Sequence, residues 1–195
     1  MKIIAINGSA RKGGNTAQLL TMVLDELATA GHDTELLELA GQNLPGCIAC
    51  YKCFDKKDKQ CGVKNDIAND CIAKMLAADA ILLGSPTYFA DVSAGMKALI
   101  ERSGMVARAN GNMFKRKLGA GVVAVRRAGA SHVFSSLNNF FLIGEMIVVG
   151  SSYWNIGQGR EPGQVQEDKE GRQTMQDLGQ NLAWLLERLG QQPTA

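Results

Sequence analysis

The sequence predicts a doubly wound α/β fold, a parallel sheet covered by helices on both faces. Five short apolar runs alternate with stretches of helical periodicity, the order expected of repeated βαβ units. The runs are nearly continuous in Ile, Val and Leu, as parallel strands buried on both faces are. A length of 195 residues, with 46% hydrophobic residues and 4 Pro, suits one such domain spanning 1–195.

The strands are expected at Lys2 to Ile6, Thr34 to Leu39, Ala80 to Gly84, Leu118 to Val125 and Met146 to Val149, each bounded by Gly, Asn or Ser. Asn15 is the expected N-cap of the first helix. Leu19, Leu20, Val23, Leu24 and Leu27 form its apolar stripe, and Gly31 suits the position after its end. Asn65 or Asp66 caps a second helix, and Ser93 a third running through Met96, Leu99 and Ile100. A fourth helix covers about 131–143. The last runs from about Asp168 to Leu189, with Leu178, Leu182, Leu185 and Leu186 inward. The Gly-containing stretch 151–165 reads as a long loop.

A net charge of +2, spread along the chain, marks neither a nucleic acid nor an anionic membrane as partner. The opening MKIIAINGSARKGG holds an apolar run of four, too short for a signal peptide core or a membrane span, so a cytoplasmic location is expected. In that reducing compartment clustered thiols bind metal or do redox chemistry more often than they form disulfides.

In a doubly wound sheet, ligands bind outside the carboxyl ends of the strands. Three loops leave those ends: Asn7 to Gly14, Ser85 to Asp91 and Arg126 to Ala130. The first, 7-NGSARKGGNT-16, combines tight-turning Gly8, Gly13 and Gly14 with donors on Ser9, Arg11, Asn15 and Thr16, at a helix N-terminus suited to an anion. Gly8 and Gly13 have P-loop spacing, but Gly14-Asn15 stands where Lys-Ser/Thr would be needed, which argues against a nucleoside triphosphatase. The dinucleotide pattern G-x-G-x-x-G is also absent. A phosphate monoester remains the best fit; a ligand-free connection is the alternative. In 84-GSPTYF-89, Pro86 stiffens the loop while Tyr88 and Phe89 offer faces for a planar ring. In 126-RRAGAS-131 the backbone amides can meet the polar edge of that ring, and Arg126 or Arg127 can offset negative charge.

The cysteines form a second feature. Cys47, Cys50, Cys53 and Cys61 follow the pattern C-x2-C-x2-C-x7-C in a cysteine-rich loop at 43–65. Three closely placed thiolates with a fourth following suit the several irons of one cluster. Tetrathiolate zinc and four free thiols are the alternatives, although zinc sites usually carry two separated C-x2-C pairs. Cys71 reads as a buried apolar residue.

The ordered set 7-NGSARKGGNT-16, 84-GSPTYF-89, 95-GMKALIER-102 and 126-RRAG-129 resembles the NADPH-dependent FMN reductase family, and within it the iron-sulfur flavoproteins, over nearly the whole chain. The resemblance implies a flavodoxin-like five-stranded sheet in the order 2-1-3-4-5, non-covalent FMN, reduction by NAD(P)H and a homodimer or homotetramer. It implies cofactor contacts at Ser9, Arg11, Gly14, Asn15, Thr16, Pro86, Thr87, Tyr88, Phe89, Arg127 and Gly129, and a [4Fe-4S] cluster on Cys47, Cys50, Cys53 and Cys61. The expected activity passes electrons from a reduced nicotinamide to a small-molecule or redox-protein acceptor, with no side-chain acid or base assigned. A flavodoxin-like electron carrier without turnover and a cysteine-based redox sensor are the alternatives.

Overall fold

The structure, a computed structural model, describes residues 1–190. Its elements are β1 (Lys2–Asn7), α1 (Asn15–Thr29), β2 (Asp33–Glu38), a short α2 (Lys52–Lys56), α3 (Ala68–Ala77), β3 (Ala80–Pro86), α4 (Ala94–Ala109), β4 (Leu118–Val125), α5 (Ala130–Ile143), β5 (Ile147–Val148), β6 (Ile156–Gln158) and α6 (Lys169–Gly190). The sheet runs β2-β1-β3-β4-β5 with parallel pairings. This is the flavodoxin-like order expected.

Alternation along the central strands builds two cores. Ile4 and Ile6 of β1 with Ile81 and Leu83 of β3 pack beneath α3, α4 and α5, while Ile3, Ala5, Ala80 and Leu82 point to the opposite face beneath α1 and α6. Successive residues thus bury on opposite sides, which is why the runs look continuously apolar. On β4, Gly119 lets α5 lie close: a Cβ there would stand 2.7 Å from the Phe141 ring. No helix among the described residues is long and apolar enough to cross a membrane.

Three local expectations need correction. Residues 151–165, expected as a loop, contain β6, which pairs in parallel with Val123–Val125 of β4. The fifth position of the sheet is therefore shared, β5 beside Leu118 and Gly119 and β6 farther along. Asn155 closes the break: its side-chain amide donates to Gly121 O at 3.0 Å and its backbone carbonyl accepts from Val123 N at 2.9 Å, so the buried β4 backbone is not left unpaired. The second correction concerns α1, whose N-cap is Gly14 rather than Asn15. Asn15 is the first helical residue, and its side chain is used elsewhere. The third is α3, whose N-cap is Ile67 rather than Asn65 or Asp66, although the Asp66 carboxylate accepts from Ala68 N at 3.0 Å there. Ser93 does cap α4, accepting from Met96 N at 3.2 Å.

Candidate functional site

The loop between β1 and α1 is held from three sides. Asn7 at the end of β1 accepts from Ser9 N at 2.9 Å and donates to Glu38 Oε1 at 3.1 Å; the same oxygen accepts from Gly13 N at 2.8 Å. Ser93 Oγ, while capping α4, donates to Gly8 O at 2.6 Å. Gly8 permits that approach, since a Cβ would come within 2.7 Å of Met96 Cβ. The loop is therefore preorganised by β2 and α4, and ordering it costs little on binding.

Ser9, Arg11, Gly14, Asn15, Thr16, Pro86, Thr87 and Tyr88, eight of the expected contacts, line one cleft of about 280 Å³ at the carboxyl edge of the sheet. Ala124, Val125, Arg126, Gly159, Arg160 and Pro162 complete its wall. Three arginines and no carboxylate thus face this space, which favours an anion although the chain as a whole is nearly neutral. Arg11 and Arg126 form no ion pair among the described residues, and Arg160 lies 3.3 Å from Glu161 in an exposed pair. The Thr87 hydroxyl is buried without a hydrogen-bond partner. An unpartnered buried hydroxyl in the wall of a cleft fits a polar ligand edge. A second cleft of about 610 Å³ shares Ser9 and Tyr88 and extends to Gly46 and Glu101 beside the cysteine loop.

Asn15 lines the first cleft in a different role from the phosphate donor expected. Its amide donates to Gly159 O at 3.1 Å and Glu161 O at 3.0 Å, and its oxygen accepts from Gly163 N at 2.8 Å. The side chain is spent on anchoring the loop that supplies Gly159, Arg160 and Pro162. Phe89 does not enter the cleft: it is fully exposed on a turn where Phe89 and Ala90 both adopt positive φ, 48° and 62°. Arg127 and Gly129 line a neighbouring depression instead, with Tyr153 and Trp154. Arg126 takes the place in the cleft that the sequence left open between the two arginines. Gly129, at φ 90°, lets the third loop pack on the second, because a Cβ would lie 3.2 Å from Ala90 Cα and Thr87 Cγ2. Sequence reasoning missed the 159–162 wall because β6, the strand it follows, is too short and polar to mark that sheet edge in the sequence.

The four cysteines of the 43–65 loop line one small cavity of about 20 Å³. Cys53 is buried, Cys61 half-buried, and Cys47 and Cys50 exposed. The backbone around them is strained: Ala49, Tyr51, Lys57 and Lys59 all sit at positive φ between 49° and 62°. Such strain persists only where the surroundings impose it. Among the described residues no three His, Cys, Asp or Glu side chains converge on a point fit for a single metal ion. Cys71 lies apart, fully buried in α3, its thiol pushed up to about 12 by burial and then by Asp70.

Consecutive residues of α4 grip the cysteine loop. Glu101 Oε2 accepts from Cys47 N at 3.2 Å. Arg102, 1% exposed, forms a fully buried ion pair with Asp66 at 2.6 Å. It also donates to Pro45 O at 3.3 Å, Val63 O at 3.1 Å and Cys61 Sγ at 3.3 Å. Burial opposes its charge, yet the bonds to Asp66 and Cys61 more than offset this and hold the guanidinium above its usual range.

A family model described as NADPH-dependent FMN reductase matches residues 1–161. An iron-sulfur flavoprotein of Methanocaldococcus jannaschii is 38% identical over 190 residues, covering 94% of this chain and 96% of that protein. Among solved structures, RosB with bound 8-demethyl-8-formylriboflavin-5'-phosphate superposes with a TM-score of 0.72 at 16% identity, over 99% of this chain and 81% of that one. A flavodoxin from the domain Archaea superposes with a TM-score of 0.63 at 16% identity, over 96% and 99%.

Proposed function

The chain belongs to the NADPH-dependent FMN reductase family and is a flavin-dependent oxidoreductase, and from that premise we propose that it takes electrons from NAD(P)H on FMN and passes them through a [4Fe-4S] cluster to an acceptor. The observation that carries the FMN site is the cleft shared by the β1–α1, β3–α4 and β4–α5 loops and residues 159–162, lined by Arg11, Arg126 and Arg160 together with Pro86, Thr87 and Tyr88. The phosphate is met by the β1–α1 loop: backbone amides at the start of α1, the Ser9 and Thr16 hydroxyls and the Arg11 guanidinium. The ring would lie against residues 86–88, where the Thr87 hydroxyl, buried without a protein partner, would hydrogen-bond its polar edge. Arg126 and Arg160 offset the charge of the reduced ring and of the phosphate.

Bound there, FMN supplies acceptance of a hydride and release of its electrons one at a time. The chain's own residues bind, orient and neutralise. Cys47, Cys50, Cys53 and Cys61 hold the cluster, a reading supported by their common cavity, by the strained loop between them and by the name of the methanogen relative. Helix α4 joins the two sites, since Ser93 at its start holds the phosphate loop and Glu101 and Arg102 hold the cysteine loop. The acceptor is a small molecule or a redox protein. Leu142 and Ile143, exposed at the end of α5, support assembly as a homodimer or homotetramer.

Anaerobic purification with iron and sulfide supplied tests this reading. The expected product releases FMN on denaturation and shows cluster resonances after dithionite reduction. Release of FAD, or no flavin uptake after reconstitution, contradicts the flavin site. Fewer than about two irons per chain removes the cluster and leaves the flavin site standing.

A further inference from the structure

Arg102 is one residue on an otherwise small or apolar buried face of α4, with Leu99, Ser103 and Val106. A charged group in that position is expensive unless every donor is used. Four of its hydrogen bonds go to one neighbourhood, and their distribution is informative. Pro45 O precedes Cys47, Val63 O follows Cys61, Asp66 begins the helix after the loop, and the fourth acceptor is the Cys61 sulfur itself. The guanidinium thus ties the two ends of the cysteine loop together and touches one of its four thiols. Its Nε–H, buried without a protein partner, remains for an acceptor in the cavity that Arg102 lines.

We propose that Arg102 is the positioning residue of the cysteine loop, and that its hydrogen bond to Cys61 sulfur holds the cluster at a higher reduction potential than the loop alone would give. The inference rests on the cluster assignment made above. Reduction adds one electron to an already anionic cluster, and a donor on a ligating sulfur stabilises that added charge. Asp66, 2.6 Å away and fully buried, cancels the long-range charge of Arg102, so the effect comes from the directed hydrogen bond. Lysine cannot reproduce it, because one ammonium cannot reach Asp66, two carbonyls and a sulfur held in a fork.

Two variants separate this from simple structural support. Arg102→Lys retains the pairing with Asp66. Arg102→Gln combined with Asp66→Asn removes both charges, so that no buried carboxylate is left alone. Anaerobically loaded wild-type and variant proteins are compared by iron content and by a potentiometric titration followed by electron paramagnetic resonance. The metal-free proteins are compared by limited trypsin digestion at Lys52, Lys56, Lys57, Lys59 and Lys64. The expected result is a more negative cluster potential in both variants at equal iron content, with tryptic cleavage in the loop at least fivefold faster than in wild type. Equal iron and an unchanged potential overturn the tuning role, and unchanged cleavage overturns the positioning role. A wild-type protein that takes up no iron overturns the cluster assignment and the tuning with it, while the digestion still decides the positioning.

Discussion

Replacing Asn15 by Ala removes three hydrogen bonds between the first residue of α1 and the loop of Gly159, Glu161 and Gly163. Each neutral bond contributes about 0.5–1.5 kcal/mol net, and because one of the three is exposed and the other two are only partly buried the lower half of that range applies, giving roughly 2 kcal/mol in all. That energy has two places to appear. If the loop stays docked in the apoprotein, the loss is read as stability, about 4–8 °C in Tm for a chain of this size. If the loop frays, the wall formed by Gly159, Arg160 and Pro162 has to be ordered by the ligand, and the FMN dissociation constant rises by about thirtyfold. Asn15→Asp is expected to do worse than Ala, since it sets a carboxylate against two carbonyl oxygens and beside the phosphate. Differential scanning fluorimetry of the apoprotein and a flavin fluorescence titration read both quantities. Wild-type Tm together with wild-type FMN affinity in Asn15→Ala would refute the anchoring role.

Four further substitutions probe other parts of the account. Arg11→Ala and Thr16→Val each delete a phosphate donor, the latter keeping the methyl that packs on Gly84, and each is expected to weaken FMN about ten- to a hundredfold while riboflavin binding stays nearly unchanged. Comparing titrations with the two flavins checks this. Cys53→Ser is expected to lose iron but keep FMN, measured as iron and flavin per chain, because the cysteine cavity and the phosphate cleft share no lining residue. Asn155→Leu leaves Gly121 O without its donor in the broken fifth strand, and chemical denaturation is expected to show a loss of about 1–3 kcal/mol.

The sequence carried the fold where burial is two-sided and local. β1, β3 and β4 are continuous apolar runs because both faces of each are covered. β6 escaped because it has three residues and no apolar run; it exists through pairing with β4 and the side chain of Asn155, both supplied by tertiary structure. The cap of α1 escaped for a related reason, as the carbonyls that claim Asn15 lie more than 140 positions away. In the site, loop donors were legible because phosphate binding uses backbone and hydroxyl groups at one helix start. The orientation of Phe89 was not, since two consecutive positive φ angles at Phe89 and Ala90 leave no compositional mark. Arg102 had a visible signal: its spacing from Leu99 and Val106 places a charge on the buried face of α4.

The central claim, a cleft that holds FMN for reduction by a nicotinamide, is tested most directly by mixing FMN-loaded protein anaerobically with NADH and, separately, NADPH while following the absorbance of oxidised flavin. The account predicts complete bleaching by at least one of the two, lost in Arg11→Ala at FMN concentrations that saturate only the wild type. An oxidised spectrum that neither nucleotide changes, in protein that dithionite bleaches fully, would contradict it.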